Sequence, residues 1–144
     1  MVKSPEQKVF YKDLSVSKYQ MSKKEKRRLE DIAKSVRKSI TLRNLEPLHD
    51  FERKIKKIAR KYGGDDTIHQ EGSHRSIHIG GRRIIWSPRR KGHERVLSTG
   101  VFEEVMKRIS ETTGIPYDQL ELYFKGSGKL YKYYKRKFEE EYDL

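Results

Sequence analysis

The residues best suited to chemistry lie close together: Gly72-Ser73-His74-Arg75, with His69, His78 and His93 nearby. Imidazole is the side chain whose ordinary pKa lets it change charge near neutral pH, and an arginine forks onto two oxygens of a phosphate. The tetrapeptide therefore holds the parts for acid–base cleavage of a phosphodiester. His74 takes or gives a proton, Ser73 offers a hydrogen bond, Arg75 supplies a cation, and Gly72 lets backbone and substrate approach closely. In RNA the adjoining 2′-hydroxyl is the nucleophile, so the reaction needs no metal and leaves DNA alone. The leaving oxygen must be protonated, and His78, His93 or His74 itself after proton uptake are the candidate donors. Metal binding is the other chemistry open to histidines. His74 and His78 share a strand face only if no turn separates them, and no cysteine or carboxylate completes a ligand set, so neither a metal nor another cofactor is expected.

Charge says what such a site would act on. The 144 residues carry 34 Lys and Arg against 21 Asp and Glu, a formal net charge of +13, and such a surplus suits a polyanion. It is uneven: residues 1–44 hold 13 basic and 5 acidic groups, residues 45–122 hold 15 and 12, and residues 123–144 hold 6 and 4. A second focus runs from Arg82 to Arg95, where Arg82, Arg83, Arg89, Arg90, Lys91 and Arg95 face one acid, Glu94. With Ser73 and Arg75, these six are the candidate RNA-binding residues. The absence of cysteine rules out disulfides and thiolate zinc sites and points to the cytoplasm. With no leader-like start and no apolar run of the ~20 residues that span a bilayer, a soluble chain with no membrane partner is expected.

These groups must be held by regular elements. The first twenty residues show no period and read as an extended arm. From Ser22, a candidate N-cap with Glu25 three residues on, Leu29, Ile32, Ala33, Val36 and Ile40 recur at helical spacing. The opposite face, with Lys23, Lys24, Lys26, Arg27, Arg28, Lys34 and Lys38, is either a solvated face or a phosphate-contacting one. A second helix follows Pro47, with Phe51, Ile55, Ile58, Ala59 and Tyr62 on one stripe and Gly63-Gly64 as its stop. Three strands are predicted over residues 67–70, 75–79 and 82–87, the last two joined by a tight Gly80-Gly81 turn. Trp86 on the third strand suits either base stacking or core packing. After a basic loop from Pro88 to Arg95, Ser98 or Thr99 caps a helix with Phe102, Val105, Met106 and Ile109 inward, ending at Gly114. In the tail, Phe124 and a flexible link over residues 125–128 precede Leu130, Tyr131, Tyr134 and Phe138 at helical spacing, which predicts a helix packing back on the core.

The order of parts around Gly72-Ser73-His74-Arg75 resembles the HicA toxins, small endoribonucleases of type II toxin–antitoxin modules. The matching parts are the helix from Phe51 to Gly64, the strand entering Gly-Ser-His, and the glycine-turn hairpin from Ser76 to Ser87. They continue through the basic loop from Pro88 to Arg95 to Gly100-Val101-Phe102 with Val105 and Met106. The similarity covers residues 48–115, under half of the chain. It implies a double-stranded-RNA-binding-like fold, cleavage of single-stranded RNA or mRNA, His74 as catalytic histidine and a protein antitoxin as partner. Trp86-Ser87-Pro88 departs from the family, many members of which carry a proline and a histidine there, and the basic N-terminal helix and aromatic tail are additions.

The expected organisation is thus a basic arm and helix (1–47), an α-β-β-β-α domain (48–122) and an aromatic, charged tail (123–144). The class is α+β, helices on one face of a three-stranded antiparallel sheet. The leading expectation is a metal-independent endoribonuclease; the alternative is a noncatalytic RNA-binding, DNA-binding or accessory protein on the same scaffold.

Overall fold

The computed structural model describes residues 22–39 and 42–144, so the arm expected over the first twenty residues lies outside them. The first helix runs over Lys23–Ser39 (α1) and starts with a reciprocal cap. The Ser22 amide donates to Glu25 Oε1 at 3.0 Å, and the Glu25 amide donates to Ser22 Oγ at 3.1 Å. Ala33 packs against the core; Ile40 and the side chains of Leu29, Ile32 and Val36 lie outside the described residues. Arg37 ties α1 to the rest, donating to the Asp118 carbonyl at 3.0 Å and to Glu121 Oε1 at 3.1 Å.

Two strand residues, Glu46–Pro47 (β1), lead into Leu48–Tyr62 (α2), whose stripe of Phe51, Ile55, Ile58 and Ala59 is fully buried. Next come His69–Glu71 (β2), His74–Ile79 (β3) and Arg82–Trp86 (β4), antiparallel in the order β2-β3-β4. The first of these begins two residues later than its composition suggested, because Asp65 Oδ1 accepts the Thr67 amide at 2.9 Å in a local turn before pairing starts. Glu71 faces His74 and Ile79 faces Arg82, which leaves two-residue turns at Gly72-Ser73 and Gly80-Gly81. Gly80 and Gly81 have φ of 58° and 82°, the left-handed pair that matches the twist of a tight hairpin.

The stretch from Pro88 to Arg95, expected as a loop, is itself a hairpin. Arg89–Lys91 (β5) pairs with Glu94–Leu97 (β6), and β6 pairs with β1, so the strands make two three-stranded sheets where one was expected. Pro88 has no amide with which to extend the β4 ladder. Gly92-His93 then turns the chain back, and a strand reading Arg-Arg-Lys shows no apolar alternation. Thr99–Thr113 (α3) is capped by Ser98 Oγ, which accepts the Val101 amide at 3.4 Å. Tyr117–Lys125 (α4) is a helix that sequence reading missed, and it absorbs Phe124 and Lys125; the link to Lys129–Glu141 (α5) shrinks to residues 126–128.

The α+β class therefore holds, with one continuous core. Ile77, Ile79, Ile84 and Trp86, on one face of the sheet, cluster with the α2 stripe and with Phe102, Val105, Met106 and Ile109 of α3. Phe124 stands between the two helices, 5.5 Å from the Phe51 ring and 6.1 Å from Phe102. The tail helix does fold back: Tyr134 and Phe138 are fully buried, and Phe138 stacks on Tyr123 at 4.2 Å.

Charge is buried where β1, α2 and α4 meet. Lys54, 4% exposed, donates to the Phe124 carbonyl at 2.9 Å, and Arg43 Nη2 donates to the same oxygen at 2.8 Å, so two cations close the C-terminal end of α4. Glu46, fully buried, lies 2.9 Å from Arg43 Nη2 without an aligned hydrogen bond. Burial pushes its carboxyl from 4.5 up to about 7, although Arg43 and Lys54 pull the other way, and burial pushes the Lys54 ammonium down to about 8. Between about pH 4.5 and 7 the folded chain holds a proton at Glu46 that the unfolded chain has released, so stability falls as pH rises through that window. Glu46→Gln, which cannot ionise, should remove this fall from a profile of Tm against pH. Parallel profiles for parent and variant would show that Glu46 is charged throughout.

Candidate functional site

Side chains alternate along a strand and stand side by side across a ladder, so the register sorts β2-β3-β4 into two faces. One face carries Arg75, Ile77, Ile79, Ile84 and Trp86 toward the helices. The other carries three rows: Glu71 beside His74, then His69, Ser76 and Ile85 abreast, then His78 beside Arg83. His69, His74, His78 and Arg83 are exposed, and Ile85 is among the few large apolar side chains that remain so, at 41%. The His69 and His78 rings meet nearly at right angles with centroids 6.4 Å apart, the one histidine ring pair among the described residues. Arg83 Nη2 reaches across β3 to Glu71 Oε1 at 3.2 Å; so exposed a pair is weak and open to exchange with another anion.

Of the sequence-predicted residues, His74 lies at the mouth of β3, directly after the Gly72-Ser73 turn, and Ser73 is exposed within that turn. His78 shares the face of His74, but four strand residues place their backbones about 13 Å apart. His93 lies in the Gly92-His93 turn of the other sheet and does not join them. Arg75 is not free for phosphate. Strand alternation turns it inward, where its guanidinium forks onto Glu52, with Nη2 to Oε1 at 2.8 Å, and donates also to Gln70. Glu52 accepts the Trp86 indole N–H as well, at 2.9 Å, so Trp86 is core and tethered. Arg82 is engaged with Glu111 at 3.0 Å.

The remaining cations form a ribbon. On the β5–β6 hairpin Arg89, Arg90, Lys91 and Arg95 are all exposed, and none makes an ion pair among the described residues. Arg90 stands directly opposite Arg95. Like charges in that relation destabilise a ladder, and an anion lying between them would relieve the repulsion. Lys23, Lys24, Arg27, Arg28, Lys34 and Lys38 are exposed on α1.

Sequence reading named His69 among the clustered histidines without giving it a role, and it did not single out Glu52. The signal for His69 was present: a two-residue turn at Gly72-Ser73, counted back from His74, sets His69 beside Ser76 and so next to His78. Glu52 gave none, because its partners Arg75 and Trp86 lie 23 and 34 residues away. Among the described residues no group of three or more His, Cys, Asp or Glu is placed to hold a metal ion, and no helix is long and apolar enough to cross a membrane. Comparison with family models, with curated proteins and with solved structures gave no match.

Proposed function

We propose that this protein binds RNA and cleaves it without a metal, the imidazoles of the open sheet face supplying the acid and the base. The observation that carries the reading is the collection of His69, His74, His78 and Arg83 on one sheet face, all exposed among the described residues, together with a ribbon of cations that make no ion pair among those residues. The ribbon and α1 would hold the phosphate backbone, and the exposed Ile85 beside the histidines gives a base an apolar surface. The succession of α2, β2-β3-β4 and, after the inserted β5–β6 hairpin, α3 is the ground for a double-stranded-RNA-binding-like reading of residues 48–115, and with it for the resemblance to HicA toxins that marks His74 and implies an antitoxin partner. Incubation of the purified protein with end-labelled RNA in chelator tests the activity; RNA should be cut and DNA of the same sequence should not.

Placement of the ribbon cations on a different sheet from the imidazoles favours a second reading, a noncatalytic RNA-binding protein. RNA bound tightly and left whole from pH 6 to 8 would select it. On either reading binding should weaken with salt, by ~0.7 in the log–log slope for each phosphate contacted on a single strand. Arg90→Gln with Arg95→Gln should therefore lower that slope by about 1.4 while leaving Tm unchanged or raised, since the two charges repel. An unchanged slope would remove the ribbon from the interface.

A further inference from the structure

The nuclease reading leaves open which imidazoles do the work, and the geometry points to His69 and His78 as the acid–base pair, with His74 as a substrate-binding group; this inference rests on that reading. Transesterification of RNA needs two proton transfers at one phosphorus, so base and acid must flank the same phosphoryl group. His74 and His78, on one strand about 13 Å apart at the backbone, are poorly placed to share it. His69 and His78, on adjacent strands with ring centroids 6.4 Å apart and planes nearly perpendicular, are close enough for one phosphoryl group at their edge to take a hydrogen bond of about 2.6–3.2 Å from each ring.

The groups around the pair suit the task. Arg83 stands directly beside His78 in the ladder, and its present partner Glu71 is an exposed carboxylate that a phosphate can replace. Asp65 lies on the chain leading into β2. Hydrogen bonds from Thr67 hold its carboxyl below the usual carboxylate range, so the segment entering β2 carries a negative charge. His74 borders Glu71 at the turn end of the face, one row from Ser76, where it can hold a neighbouring phosphate.

In the reaction one ring of the pair, neutral, takes the proton of the 2′-hydroxyl as O2′ forms its bond to phosphorus. The P–O5′ bond breaks, and the other ring, protonated, gives its proton to O5′. The products are a 2′,3′-cyclic phosphate and a 5′-hydroxyl, and one proton has passed from one ring to the other. No oxidant, metal or cofactor enters the balance.

The test is cleavage of a labelled oligoribonucleotide in chelator across pH 5–8, with His69→Ala, His78→Ala and His74→Ala beside the parent, and with His49→Ala, on the exposed side of α2, as control. Expected are a bell-shaped kcat profile for the parent and losses of ~10²–10⁴-fold in kcat for His69→Ala and for His78→Ala, each with one limb of the bell gone. The double variant should cost little more than either single one. His74→Ala should raise KM and keep both limbs. In parallel, inorganic phosphate titrated into the full chain should shift the ring NMR signals of His69 and His78 together. If His74→Ala removes a limb while His69→Ala and His78→Ala keep both, the pair is overturned and the nuclease reading stands. If the parent binds RNA and never cuts it, both fall.

Discussion

A chain stopped at Gly128 is expected to lose its cooperative melting transition. The missing helix α5 supplies Tyr131, Tyr134 and Phe138 to the interior. Tyr123 would lose the ring stacked on it at 4.2 Å and the Glu139 carboxylate that accepts its hydroxyl at 2.7 Å. Gln119 would lose two donors, the hydroxyls of Tyr134 and Tyr142, and Lys57 and Lys61 would lose Glu139 and Asp143, each at 2.9 Å. Emptying one buried aromatic site costs ~3–5 kcal/mol, and three such losses reach the ~5–15 kcal/mol that is the whole stability of an ordinary domain. Phe138→Ala alone should lower Tm while keeping a single transition. Circular-dichroism melts of both chains check this; a truncated chain melting within a few degrees of the parent would make the tail an appendage.

Arg75→Ala should cost stability and spare RNA affinity, the reverse of what a phosphate-binding arginine would do. The loss leaves Glu52, only 13% exposed, with one donor, the Trp86 indole. Breaking a buried ion pair by removing one partner costs ~3–5 kcal/mol. Arg75→Lys should recover little, because an ammonium cannot present the two-pronged fork that Glu52 receives. Binding measured well below the melting temperature should be close to the parent's. Affinity lost at unchanged Tm would mean that Arg75 leaves Glu52 to hold phosphate when RNA binds.

How far the sequence could be read follows from where its signals lie. Helices α1, α2 and α3 were legible because cap and stripe sit within a few residues of each other, as at Ser22 with Glu25 and at Ser98 before Phe102. The Gly80-Gly81 hairpin was legible because two successive glycines have one common use between apolar strands. The β5–β6 hairpin was hidden: its stability draws on pairing with Glu46 and Pro47, some fifty residues earlier, and its strands carry cations in place of an alternating pattern. Helix α4 was hidden because the link was read from Lys125 to Gly128, with Phe124 just before it, which assigned the last residue of the helix to a flexible segment. In the candidate site, the neighbourhood of His74 was visible as a cluster of histidines, but its division into an inner arginine and outer imidazoles depends on strand register. Arg75 beside His74 in the sequence points to the opposite side of the sheet.

The joint that Arg75 closes also carries its own optical label. Trp86 is the single tryptophan of the chain, 1% exposed, edge-on to Phe51 at 5.1 Å and bonded through its indole nitrogen to Glu52. Its fluorescence therefore reports one event, the parting of β4 from α2: emission is blue while the indole is dry and moves to the red when water reaches it. Because the ring lies on the helix side of the sheet, a nucleic acid settling on the histidine side meets no tryptophan. Changes in emission on adding RNA would then measure strain passed through the sheet, separately from contact with it.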